Sequence, residues 1–223
     1  MKKILIAGNS ITAEILYAHL QNDTRYEVAG FAVDDAFVTQ ESIDGYRVVG
    51  FSEVVSAFPP STHHVLMAVG YDNLNRTRET MFDRLKAMGY SMETYIHPDA
   101  SVHSRQAIGE GSVVLAGAVV EPHARVGVNT MVWSNVTLAH HCRIDDHCWV
   151  AAGTVVSGQA RVSCNTFLGV SCTVVNTVTV GEFNIIGAGA LITRDTKPMS
   201  VHLARSAEPF RYSSEDYIKH FGI

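Results

Sequence analysis

Charge is scarce in this sequence. Asp, Glu, Lys and Arg make up 17% of its 223 residues, and the net charge is −5. That balance argues against a nucleic-acid partner held on a basic surface. Cysteine is scarce as well: four in a chain of this length do not make a disulfide framework. A reducing compartment follows, so the expected location is cytoplasmic. No apolar run approaches the roughly 20 residues of a membrane-spanning helix, so no membrane span is expected. Met1 to Gly8 opens like a signal peptide, but turns at once into a strand and a glycine turn. Hydrophobic residues reach 47%, enough for one large or two modest folded domains and incompatible with wholesale disorder.

What the chain does have is a period. From Ile96 an aliphatic residue recurs every six positions, through Val102, Ile108, Val114, Val120, Val126, Val132, Leu138, Ile144 and onward to Ile192 without a slip. The fifth residue of each hexad is mostly small, as at Ala118, Ala124, Thr130, Cys142, Cys148, Thr154 and Cys172, and the second is often glycine. A six-residue period is neither helical nor a simple alternating strand. It predicts a parallel β-helix of hexapeptides. Each coil has three short faces, the branched residue stacks inward on the next coil, and the small residue fits the narrow corner.

The period interprets the stretch Thr137 to Cys148, where three histidines, two cysteines and two aspartates crowd into twelve residues. Such density suggests zinc. But Cys142, Cys148 and Cys172 fall at the small inward position, as core residues. His141 and His147 stand six apart, hence on different sides of the prism, where they cannot share one ion. No metal site is expected. His140 is the third residue of its hexad and points outward, with Pro122 and Gly158 one coil away on either side.

The N-terminal part reads as α/β. Lys2–Ala7, Val28–Val33 and His64–Val69 are apolar strand candidates, with helical spacing over Thr12–Gln21 and Asn73–Met88. This gives β-α-β with a glycine at the first turn, a small nucleotide-binding layout. It lacks a full dinucleotide fingerprint: of the three glycines in G-x-G-x-x-G only Gly8 is there, Ser10 and Ala13 standing for the others.

Several segments together carry a family resemblance: Ile4 to Ser10, Phe31 to Asp35, Ala68 to Asn73 with Arg76, Ile96 to Val102, and the hexads around His140. With them the chain resembles, over about its first 200 residues, the PglD/NeuD-like nucleotide-sugar acetyltransferases of the left-handed β-helix (hexapeptide-repeat) superfamily. The resemblance implies a Rossmann-like nucleotide-sugar-binding domain over 1–95, a left-handed parallel β-helix acyltransferase domain over 96–197, and a C-terminal tail over 198–223. It implies an acetyl-CoA-dependent N-acetyltransferase acting on a nucleotide-linked amino sugar for bacterial surface-glycan biosynthesis, assembled as a homotrimer with acetyl-CoA between adjacent coils. A sugar O-acetyltransferase and a non-enzymatic β-helix scaffold remain the alternatives.

In such an enzyme a neutral imidazole at His140 removes the acceptor's proton, and a backbone N–H near Gly158 faces the oxyanion. Relatives follow the base with an acidic residue. Here His141 stands in that place, which leaves the orienting carboxylate unaccounted for. Trp149, Gly158, Val170 and Ala188 are the implied cofactor contacts, with Arg205 a candidate for the CoA phosphates. Gly8, Asn9, Ser10, Asp34, Asp35, Gly70 and Asn73 are the implied sugar-nucleotide contacts, phosphate lying over the start of the first helix. Ser213 reads as the cap of a short helix in the tail.

Overall fold

The computed structural model describes residues 1–222. Its N-terminal part is a six-stranded mixed sheet in the order β3-β4-β2-β1-β5-β6, from β1 (Lys2–Ala7), β2 (Tyr26–Val33), β3 (Ser42–Ile43), β4 (Tyr46–Gly50), β5 (His64–Met67) and β6 (Ser91–Met92). All neighbours are parallel except the β3–β4 hairpin. Helices α1 (Ile11–Gln21), α2 (Val54–Ala57) and α3 (Arg76–Ala87) complete it. β1 is apolar on both sides because both are covered: Ile4 and Ile6 pack with Leu16 and Leu20 of α1, Leu5 and Ala7 with Val54 of α2 and Leu85 of α3. The third helix starts three residues later than the periodicity predicts. Asn73, Leu74 and Asn75 all take positive φ and form a turn instead.

From Tyr95 to His202 the chain winds into coils whose strands pair in parallel with the residue eighteen positions on, as Val119 with Thr137 and Val120 with Leu138. Three sheets result, and they fit a left-handed parallel β-helix. The predicted aliphatic stack is the core: Val114, Val120, Val126, Val132, Leu138, Ile144, Val150 and Val156 are at most 4% exposed. The small fifth residues lie beside them, Cys142 and Cys148 included. The fourth residue of the hexad turns the corner with positive φ, at Asn129, Asn135, His141, His147, Gln159 and Asn165 among others. Asn and Gly take this conformation most readily, and His is among the next.

The three outer faces differ in what they present. One carries Tyr95, Val113, Met131 and Trp149, buried against Ile4, Leu16 and Leu66 of the N-terminal part; this is the covered face. The second presents Ser101, Val119, Thr137, Val155, Thr173 and Leu191, without a single charge; this is the neutral face. The third presents Arg125, Arg143 and Arg161 stacked in register; this is the arginine face. The coils extend past the predicted 197, since Val201–His202 pairs with Ile185–Ile186 on the covered face. Beyond them α4 (Ser214–Phe221) is exposed throughout, and Ser213 Oγ caps it by accepting the Asp216 N–H at 3.1 Å.

Candidate active site

At the ends of β1, β2 and β5 the N-terminal sheet opens into a cavity of about 480 Å³. Gly8, Asn9, Ser10, Asp34, Gly70 and Asn73 line it, joined by Asp72, Arg76 and Arg84. Gly8 is required there. Its φ is +133°, and a Cβ would stand 2.6 Å from the Ala68 carbonyl oxygen. Ser10 is the N-cap of α1, so the free N–H groups of the first turn face the same space. Asp34 is paired with Arg84 across the mouth. Asp35 does not line this cavity. Its carboxylate turns to the other side of the strand end, accepting from the Ser52 hydroxyl at 2.7 Å and the Ser52 N–H at 3.1 Å. Those two bonds hold its carboxyl below the usual range, and Gly50 leaves the room for it.

His140 lies on the corner between the neutral and arginine faces, and its side chain is exposed. Its ring lies against Gly158 of the next coil, where an added Cβ would come within 2.6 Å of Cε1 and 2.8 Å of Nε2. Glycine at 158 therefore fixes where the imidazole can rest. Nδ1 of His140 is 3.3 Å from Nδ1 of His141, so one ring holds the proton and the other accepts it. His141 in turn packs at a tilt against His123 one coil earlier, ring centres 4.5 Å apart. The backbone N–H of His140 donates to Glu121 Oε2 at 2.7 Å.

Neither aspartate of the stretch Thr137 to Cys148 approaches His140. Asp145 lies between Arg143 and Arg161, at 2.5 and 2.7 Å. Asp146 accepts the Val128 N–H at 2.8 Å. Among the described residues no group of three or more His, Cys, Asp or Glu side chains converges on a point that could hold a metal. Burial pushes the Cys142 thiol up to about 12 and that of Cys172 to about 11. They pack as small apolar groups and are no thiolates.

The implied cofactor residues part company. Gly158 shares the corner of His140, whereas Val170 and Ala188 lie exposed on the next corner, across the neutral face. Trp149 requires a correction. It is only 4% exposed, wedged between Tyr71 and Trp133 where the N-terminal part covers the coils. A ring sealed between the N-terminal part and the coils offers no surface to a cofactor.

Sequence reasoning missed Arg84, Glu121 and His123. An eighteen-residue step back from His141 reaches His123, so the coil period itself held the signal for that residue. Arg84 and Glu121 act through side-chain reach, which no spacing encodes.

Neither a family model nor a curated protein sequence matches the chain. Solved structures do. A histidine-to-asparagine variant of perosamine N-acetyltransferase from Caulobacter crescentus, in complex with CoA and GDP-perosamine, is 25% identical, with 93% of this chain and 96% of that one aligned at a TM-score of 0.81. The acetyltransferase domain of PglB from Neisseria gonorrhoeae, in complex with acetyl coenzyme A, is 28% identical over 94% of this chain and 99% of that one, TM-score 0.77. WeeI from Acinetobacter baumannii, at 18% identity and a TM-score of 0.78, shares the fold. With an unbroken hexapeptide period and a likeness that runs nearly the length of both chains, the chain is similar throughout to nucleotide-sugar acetyltransferases of the hexapeptide-repeat superfamily.

Proposed function

We propose that the protein transfers an acetyl group from acetyl-CoA to the amine of a nucleotide-linked amino sugar, with His140 as general base. The observation that carries this is the pairing of an exposed imidazole, seated on Gly158, with a separate glycine-lined cavity at a helix start. The cavity suits a nucleoside diphosphate: N–H groups of the α1 start for the phosphates, Asp34 for ribose or base hydrogen bonds. The sheet and its first turn are read as a small Rossmann-like unit on this ground, over residues 1–95.

The chemistry follows from the contacts. With its proton on Nδ1 donated to His141, His140 presents a lone pair at Nε2. The acceptor nitrogen forms a bond to the thioester carbonyl carbon and gives its proton to Nε2. The carbon–sulfur bond then breaks, and the proton passes from Nε2 to the departing thiolate. His141 accepts from the imidazolium, a weaker version of what a carboxylate would do. The N–H of Gly158 has no acceptor within the coil ladder, and in this reading it meets the oxyanion.

Within one chain the two halves of the site stand apart. The N-terminal part sits on the covered face and on the corner of His147, while His140 occupies the corner between the other two faces. The sugar held by one copy must therefore meet His140 of another. The uncharged neutral face, flanked by His140 and Gly158 on one corner and Val170 and Ala188 on the other, suits such packing. A homotrimer, three chains making three sites, is the assembly proposed, and bacterial surface-glycan biosynthesis in the cytoplasm is the proposed setting. Among the described residues no helix is long and apolar enough to cross a membrane.

The test is a thiol-release assay with acetyl-CoA against a panel of amino and hydroxy nucleotide sugars. Turnover of an amino sugar is expected; turnover of hydroxy sugars alone would move the reading to O-acetylation, and none at all would refute it. Light scattering showing a fully active monomer would overturn the shared site.

A further inference from the structure

Where it is not proline, the third residue of a hexad stands at a corner with its N–H directed away from the coil ladder. At Ala116, Ser134, Ala152, Gly158, Val170, Asn176 and Ala188 that N–H has no acceptor among the described residues. His140 is an exception: the Glu121 carboxylate of the preceding coil takes its N–H at 2.7 Å. The other exception, Val128 with Asp146, lies at the corner that the N-terminal part covers. An ionised acceptor on a backbone N–H makes a stronger and shorter bond than a neutral one. Here it is spent on an exposed corner with no strand to hold.

We infer that Glu121 is the positioning residue of His140, supplying from the previous coil the carboxylate that the next position along the chain, His141, does not. It acts through the backbone. An imidazole hinges about its Cα, so pinning the N–H of residue 140 on one side and closing the floor with Gly158 on the other leaves the ring little freedom. The same carboxylate lies beside the corner where positive charge develops when the ring is protonated. Among the described residues the other titratable groups at this corner are His123 and His141, with Arg125 and Arg143 beyond them and the buried Cys142 thiol beneath; the following coil brings only Gly158 and Gln159. Glu121 is thus the one acidic side chain among them. It also lines an open cavity of about 560 Å³ with His103, Gln106 and His123, so it is reachable from solvent and is not a buried strut.

This assignment rests on His140 as the base, and the experiment separates the two. Amide hydrogen exchange at residue 140 is measured alongside steady-state kinetics in Glu121→Ala, Glu121→Gln and His140→Asn. Glu121→Ala is expected to speed exchange at residue 140 and lower kcat about tenfold, with KM for both substrates within about twofold. That is less than the roughly hundredfold a misplaced group can cost, since Gly158 still supports the ring. Glu121→Gln keeps an acceptor oxygen and is expected to restore both protection and most of the turnover. Unchanged exchange in Glu121→Ala, or faster exchange with wild-type kcat, overturns the role of Glu121, as does a Gln variant no better than Ala. Wild-type turnover in His140→Asn overturns the base itself, whatever the exchange shows.

Discussion

His141 and His147 occupy the same position of the repeat, with φ of 60° and 56°, one hexad apart. Their surroundings share nothing. His141 is exposed, packed at a tilt against His123 and in contact with His140. His147 is lodged under α3, its Nδ1 2.9 Å from Asn129 Nδ2 and its ring edge-on to Phe82. Burial pushes its imidazole below the ordinary value, against the pull of Glu79. The repeat thus decides how the backbone turns, and the neighbour across the corner decides what the side chain can do. One corner is a joint between the N-terminal part and the coils; the other is open to solvent.

The joint holds the largest expected effect. Arg78 is fully buried without an acidic partner among the described residues, and burial pushes its guanidinium down to about 9. It donates to the carbonyls of Asn129 and Val69, each at 3.0 Å, so it ties a corner of the coils to the strand end that lines the glycine-turn cavity. Arg78→Ala leaves those carbonyls unpaired beside a void, and about 3–5 kcal/mol of stability is expected to go. Urea unfolding measures it. A loss below about 1 kcal/mol would mean that the joint does not depend on this residue.

At the open corner the effect is expected on turnover and not on folding. His140→Asn opens no hole in the aliphatic stack, so Tm should stay put while kcat falls by roughly a hundredfold or more. His141→Asn should cost less, as the residue that only receives the proton of its neighbour's Nδ1. Should His141→Asn lose turnover while His140→Asn keeps it, the base has been misassigned by one position.

Gly158→Ala makes a smaller change that reads the seat of the ring. Its methyl would stand within 2.6 Å of His140 Cε1, so the imidazole must swing away, and a loss of about tenfold in kcat at unchanged Tm is expected. Wild-type turnover would mean that the ring does not rest there during the reaction.

The mildest contrast is in pH. A histidine whose folded value is depressed contributes stability that is present above its unfolded value, near 6.5, and fades as pH falls below it. His147 is such a group, so acidification from about pH 7 to 5 should lower the unfolding midpoint through the joint, and His147→Asn should flatten that slope. An equal slope in that variant would place the titration elsewhere, with His19, which burial also depresses, the next candidate.

Much of the outline was legible because the coils are periodic. The inward aliphatic that begins each hexad from Val114 to Ile186 was readable from spacing, since a prism with three short sides repeats its demands every six residues. The same spacing put Cys142 and Cys148 on the inward side, where they pack in the core. Trp149 was misread because the repeat says only that its side chain points outward. It does not say that Tyr71 and the N-terminal sheet lie on top. Asp35 was likewise indistinguishable from Asp34 in a loop where adjacent side chains diverge, and Ser52 decided which way it turned.

By itself the sequence determined the coil, its inward and outward positions, the corner on which His140 stands and the glycine beneath it. Hydrophobic burial and the left-handed corner impose those at fixed spacing. Only the tertiary structure decided which face is covered, which histidine is sealed and which carboxylate reaches the His140 amide. Those depend on side chains from different coils and from the N-terminal part meeting in space, and no local period records such meetings.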